Sequence, residues 1–235
     1  PDWPQERCSR SASPSTTADD LRTYADTIVR LAFSANSAPV GQRSGKGRDT
    51  GAMASDETKE SVQTMRAISQ EDLGGPDVLR EVDLPRPEPG PGEILVRVRA
   101  AGVNPTDWKH RRTGMFLGEP PFVLGWDASG VVEHVGFGVT LFSPGDEVFG
   151  MVPYPSGVGT HAEFVKGPAR AFTRKPSEVD HVQAGAIPLA ALTAWQALVD
   201  TADISEGDRV LVHAAAGGVG HLAVQIAKAR GAHVI

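Results

Sequence analysis

A single cysteine, Cys8, stands in a chain of 235 residues. One thiol cannot close an internal disulfide or build a cysteine-rich zinc site. Basic residues are in deficit, 23 against 29 acidic ones for a net charge of −6. That balance argues against a general nucleic-acid surface, and no basic cluster with interleaved aromatics offsets it. No uninterrupted apolar run approaches the ~18 residues of a membrane-spanning helix. The N-terminus has no charged segment followed by an apolar core, so the sequence predicts no secretory leader and a cytoplasmic protein. Glycine and proline, by contrast, are plentiful, with 26 and 18 residues. They fall between short apolar stretches, where they punctuate strands and turns. Hydrophobic residues make up 40%, enough for a core, and the length suits one or two domains of about 100–200 residues each.

Residues 1–64 differ from the rest. Stretches such as "SRSASPSTTADD" and "GQRSGKGRDTGAMASDETKE" bury too little apolar surface to offset the entropy of ordering, so this part reads as a low-complexity extension. One piece carries a helical pattern: Leu21, Tyr24, Ile28 and Leu31 recur at three and four residues, with Asp19 or Asp20 as a cap. Met65 opens a different pattern. "EILVRVRAAGV" alternates apolar and charged residues as a half-buried strand does. "DASGVVEHVG", "PGDEVFGM" and "GTHAEFVK" read as further strands joined by Pro-Gly turns. The region to about Pro176 is thus predicted to be antiparallel β, closed into a small barrel. Two helices follow, the first capped by Ser177 and the second started or broken by Pro188.

The last segment, "VLVHAAAGGVGHLAVQIAKARGAHVI", predicts a strand over 209–213, a glycine turn, a helix over 218–230 and a second strand opening at His233. Ala214, Gly217 and Gly220 are spaced by three. Glycines allow a tight turn and close approach, and a helix N-terminus offers N–H groups and partial positive charge to a phosphate. The strict dinucleotide fingerprint carries three glycines, G-x-G-x-x-G/A; here it is A-x-x-G-x-x-G. The strand before and the helix after favour phosphate binding over a turn that needs glycine for packing alone.

From Met65 onward the chain resembles the zinc-independent quinone oxidoreductases of the medium-chain dehydrogenase/reductase superfamily. The resemblance rests on "RAAGVNPTDWKHR", "LGWDASGVVEHVG", "GDEVFGM", "GTHAEFV", "IPLAALTAWQAL" and the final segment, in the family's order. It implies an α/β fold with a β barrel: a GroES-like domain over 65–185 and the first part of a Rossmann domain over 186–235. It implies zinc-independent hydride transfer from NADPH to a quinone or an α,β-unsaturated carbonyl compound. Asn104 and Thr193 match positions near the nicotinamide, and Ala216, Gly217, Gly218, Val219 and Gly220 match the pyrophosphate turn. The enoyl reductases of polyketide synthases share these motifs and are the alternative, as is a paralogue that binds nucleotide without turnover. The full-length family often forms homodimers.

Zinc members of the superfamily place a cysteine where this chain has Asn104 and a histidine where it has Trp126. No pair among the seven histidines has ligand spacing, so no metal is expected. No proton donor stands out. Tyr154 reads as a surface turn residue, His213 as a half-buried histidine ending a strand, and Lys109 and His110 as solvent-facing. The residue that chooses NAD or NADP falls ~20 residues past the glycine turn, beyond Ile235, and the resemblance therefore predicts a C-terminally truncated member.

Overall fold

The computed structural model describes residues 63–155 and 159–235. The helical pattern around Leu21 to Leu31 lies outside the described residues. Strands β1 (Thr64–Gln70) and β2 (Leu79–Pro85) form an antiparallel pair, in register from Thr64 opposite Pro85 to Gln70 opposite Leu79. The far end of β1 also pairs with the short β4 (Phe122–Val123). A second, five-stranded sheet has the order β7-β3-β5-β6-β8. Its members are β3 (Glu93–Ala101), β5 (Asp127–Val135), β6 (Glu147–Met151), β7 (Phe164–Pro168) and β8 (Phe172–Arg174). Every pairing in it is antiparallel. Inward residues of these strands make one core, with Ile94, Val96, Val132, Val148 and Phe172 buried in it beside Trp126, which immediately precedes β5.

The expected barrel is not closed among the described residues. The two sheets meet at a single bridge, Ala67 opposite Ala162. The Ile68 N–H donates to His161 O at 2.9 Å and the Glu163 N–H to Arg66 O at 3.0 Å. Edge strand β8 is only three residues long and runs on into a turn before the next helix, which leaves it no length to pair a further strand and complete the circle.

Helix α1 (Pro105–Thr113) lies between β3 and β4 and was not foreseen. Asn104 is its N-cap and Pro105 its first residue, and Gly114 ends it in the left-handed region at φ +69°, a usual C-terminal device. Helix α2 (His181–Ala186) is capped by Asp180, not by Ser177. The Gln183 N–H donates to Asp180 Oδ1 at 2.7 Å and the Asp180 N–H to Gln183 Oε1 at 3.2 Å. That reciprocal pair satisfies two of the helix's open donors, which a serine three residues upstream cannot reach. Helix α3 (Pro188–Trp195) starts at Pro188 as expected and runs into a wider π-helical turn over Gln196–Thr201.

Strand β9 (Arg209–Val210), helix α4 (Gly218–Ala229) and strand β10 (His233–Val234) form a parallel β-α-β unit, with His233 opposite Arg209. The strand expected to reach His213 pairs only over two residues. The Val212 N–H still donates to Ile235 O at 3.0 Å, but the chain then turns at His213, which is exposed rather than half-buried. Helix α4 packs against α3. Ile204, Ala227 and Ala232 form the unit's own small core. Among the described residues no helix is long and apolar enough to cross a membrane.

Candidate functional site

The start of α1 holds a buried polar network. Asp107, at the third position of the helix, is fully buried. Its Oδ2 accepts the Asn104 N–H at 2.5 Å and its Oδ1 accepts the Gly125 N–H at 3.0 Å. Asn104 in turn donates from Nδ2 to Asp127 Oδ2 at 2.8 Å. Asp127, fully buried at the start of β5, accepts the Leu189 N–H on its other oxygen at 2.9 Å. A proline opens α3, and Leu189 follows it with one of the helix's unsatisfied first-turn N–H groups. The Thr193 hydroxyl donates to Leu189 O at 2.7 Å. Asn104 and the helix carrying Thr193 are thereby tied through one carboxylate.

Removal from water disfavours both anions and outweighs the N–H donors that favour them. Burial pushes Asp107 up to about 7. It pushes Asp127 up to about 6, with the neighbouring Asp107 adding to the rise. A carboxyl whose folded value is raised binds its proton more tightly in the folded state, so the stability it contributes is full below the unfolded value, ~3.9. That contribution is lost as pH climbs through 6 and 7. Glu93, Glu133 and Glu163, each held low by partners, act only at the acid end. Between pH 5 and pH 7.5 stability therefore declines, by about 1.4 kcal/mol per pH unit for each group while it titrates. Urea midpoints across that range check this, and a flat or rising profile would contradict it.

The glycine turn is built differently at each residue. Ala214 takes a left-handed φ of +53°, and its carbonyl accepts the Gly217 N–H at 2.9 Å. Gly220 is buried against that same carbonyl: a Cβ there would lie 2.2 Å from Ala214 O and 2.8 Å from Ala215 Cα. Gly218 faces open space, with nothing within 4 Å of a Cβ. Ala216, Gly217, Gly218 and Val219 are exposed. The first-turn N–H groups at Gly218, Val219 and Gly220 have no acceptor within their helix. Close packing beneath and an open mouth above is the arrangement a diphosphate needs.

The expected residues are thus partly assembled. Asn104 and α3 meet through Asp127, and α3 lies along α4, which the glycine turn opens. Thr193 is exposed, and its hydroxyl bonds back to its own helix. A groove of about 380 Å³ between β1, β2 and Phe164 contains none of these residues. The sequence reading missed Asp107 and Asp127 altogether. The Asn104-x-x-Asp107 spacing, a capping-box pattern, is the signal that could have revealed the first. His110, expected at the surface, is completely buried. It packs against Trp126 with ring centroids 4.9 Å apart and against Tyr154 at 5.8 Å, so Tyr154 belongs to an aromatic cluster and is more than a turn residue. Among the described residues no three His, Cys, Asp or Glu side chains gather where they could hold a metal ion.

Comparison with known proteins fits this geometry. Residues 90–177 match the alcohol dehydrogenase GroES-like domain. Quinone oxidoreductase from Pongo abelii is 37% identical over 174 residues, covering 73% of this chain and 52% of the relative. The quinone oxidoreductase structure from Coxiella burnetii superposes with a TM-score of 0.68 at 39% identity, covering 73% of this chain and 56% of that one. A mycobacterial structure in complex with NADPH gives 0.63 at 40%, covering 72% and 50%. The chain spans about half the length of the curated relatives it matches. With the expected sheet, the β-α-β unit and these relatives in agreement, residues 90–177 form an alcohol dehydrogenase GroES-like domain, and the chain is similar over 73% of its length to quinone oxidoreductases.

Proposed function

We propose that this chain carries the acceptor-side domain and the diphosphate-binding turn of an NADPH-dependent oxidoreductase acting on a quinone or an alkene conjugated to a carbonyl. The observation that carries the reading is the glycine turn: Gly220 is closed against Ala214 while Gly218 is open. A relative 40% identical is known in complex with NADPH, and others are named quinone oxidoreductases. Bound NADPH supplies a hydride. The N–H groups of Gly218, Val219 and Gly220 would hold its diphosphate at the positive end of α4, and exposed Ala216 and Gly217 would leave room for it. Asn104 and Thr193 would lie on the nicotinamide side, and Asp127 keeps Asn104 and the start of α3 in fixed relation. Most of the rate comes from holding donor and acceptor in register.

The test is a fluorescence titration of the 235-residue chain with NADPH, followed by an assay of NADPH oxidation with 1,4-benzoquinone. Saturable binding and quinone-dependent oxidation are expected. Binding without oxidation would reduce the role to nucleotide binding, and a folded chain that binds no NADPH would refute the proposal.

A further inference from the structure

The two ends of helix α2 are fastened to the five-stranded sheet by different means. The C-terminal end is held by close backbone packing. A Cβ at Gly185 would lie 3.1 Å from both Cβ and O of Ala100, and a Cβ at Gly102 would lie 2.6 Å from Gly185 O. The N-terminal end is held by a polar chain through the first helical residue, His181. Its Nδ1 lies 2.8 Å from the hydroxyl of Ser129, which is fully buried on β5. Its Nε2 lies 3.3 Å from Glu147 Oε1 on β6. The Ser129 hydroxyl also donates to Val148 O at 3.2 Å.

Counting hydrogens along this chain fixes the state of the ring. A hydroxyl has one hydrogen. With it spent on Val148 O, Ser129 can only accept from His181, so Nδ1 must donate. A carboxylate also only accepts, so Nε2 must donate to Glu147. A ring that donates from both nitrogens is an imidazolium. When that ring loses its proton, one of the two bonds must be remade. The Ser129 hydroxyl turns from Val148 O to Nδ1, and the bond to Glu147 is no longer one between opposite charges. Histidine is the side chain whose charge changes between pH 5 and 8.

We infer that His181 is a proton-operated clamp: as an imidazolium it binds the first turn of α2 to β5 and β6, and on losing its proton it loosens that turn while Gly185 keeps the other end seated. The surrounding charges allow this. Lys175, after β8, lies 3.1 Å from Glu147 Oε2 and holds the Glu147 carboxyl below the usual carboxylate range, with His181 adding to the effect. The anion is therefore present throughout the histidine's charge change. Lys175 also opposes a second cation, but its ammonium donates to Pro176 O at 3.2 Å and to Val179 O at 2.7 Å. Asp180 is occupied in capping α2. On the same face of β5 as Ser129, Asp127 is bonded to Asn104 and Leu189, and Glu133 to Arg97 of β3. Arg99 stands exposed at the register shift between Val98 and Ala100. Neither α3 nor the rest of α2 carries a charged side chain. The clamp leads into α3 through Ile187, and it operates without cofactor or substrate.

A histidine that bonds best as the cation adds stability that is full at low pH and lost as pH rises. Asp107 and Asp127 act in the same direction, so the test is a coupling and not the overall profile. His181→Phe, Glu147→Gln and the double variant of the 235-residue chain are unfolded in urea at pH 5.5 and at pH 8.5, in low salt. The double-mutant cycle gives the interaction between the two positions. A coupling of about fivefold in the unfolding equilibrium constant is expected at pH 5.5, falling to about twofold or less at pH 8.5. The same coupling at both pH values, or none at pH 5.5, would overturn the clamp. Hydrogen exchange in the unaltered chain decides even if a variant fails to fold. The Ala184 N–H, bonded to Asp180 O in the first turn of α2, is compared with the Ala191 N–H, bonded to Ile187 O in α3. After correction for the intrinsic effect of pH, protection of Ala184 relative to Ala191 should fall at least threefold from pH 5.5 to pH 8.5. A constant ratio would show that the first turn does not respond to the proton, and the inference would fail.

Discussion

Asp107→Asn at pH 7.5, above the value of about 7 to which burial raises Asp107, lowers the melting temperature by roughly 6–12 °C, the shift that about 3 kcal/mol produces in a protein of this size. The cause is geometric. Each carboxylate oxygen of Asp107 accepts one backbone N–H, from Asn104 and from Gly125. Asparagine keeps one acceptor and turns the other into an NH2 that confronts a donor. A buried N–H left without a partner costs about 1–3 kcal/mol, and two facing donors add repulsion to that. The site is fully buried, so water cannot step in. The same substitution removes the like charge that helps hold Asp127 up, so Asp127 ionises at lower pH in the variant, and the fall in stability that starts above the unfolded value of ~3.9 ends at a lower pH. Thermal melts at pH 5 and pH 7.5 check both parts. A melting temperature within 2 °C of the unaltered protein would show that Asp107 is not the acceptor joining Asn104 to Gly125.

Gly218→Ala and Gly220→Ala separate the two demands made on the glycine turn. At Gly220 a methyl would lie 2.2 Å from the backbone oxygen of Ala214. Backbone on both sides must shift, a crowding cost of about 1–3 kcal/mol, and the turn loses its shape, so stability and NADPH binding fall together. At Gly218 the methyl meets nothing within 4 Å, and alanine is at least as good a helix former as glycine. Stability is unchanged or slightly higher, while the methyl stands where the diphosphate must approach, and NADPH affinity drops at least tenfold. Urea unfolding and fluorescence titration of both variants give the comparison. NADPH binding unaffected in Gly218→Ala would remove the diphosphate from this turn.

The strands that alternate or end at Pro-Gly turns were legible, because their periodicity is local. "EILVRVRAAGV" became β3 and "DASGVVEHVG" became β5. Helix α4 starts at Gly218 as foreseen and ends one residue early, at Ala229. Helix α1 was invisible for a physical reason. Its buried residues are Asp107, His110 and Arg111, so the face turned to the interior is polar and no apolar stripe marks it. Asp180 displaced Ser177 as a cap because its partner Gln183 stands three residues on, whereas Ser177 lies three residues too far upstream to reach the helix's open N–H groups.

Sequence alone determined the kind of fold, the glycine turn at the head of α4 and the family motifs, since each depends on residues within a few positions of one another. It also marked Asn104 and Gly217 to Gly220 as the residues to examine. Tertiary structure alone decided what surrounds them. Asp127 reaches Asn104 across 23 positions and Leu189 across 62. Nothing in the local pattern of an aspartate before a strand says that it will be buried between them. The buried His110 Nε2 and Trp126 Nε1, which find no hydrogen-bond partner among the described residues, belong to the same class. Whether a buried donor or acceptor finds a partner depends on every chain segment packed around it, and only the folded arrangement supplies those.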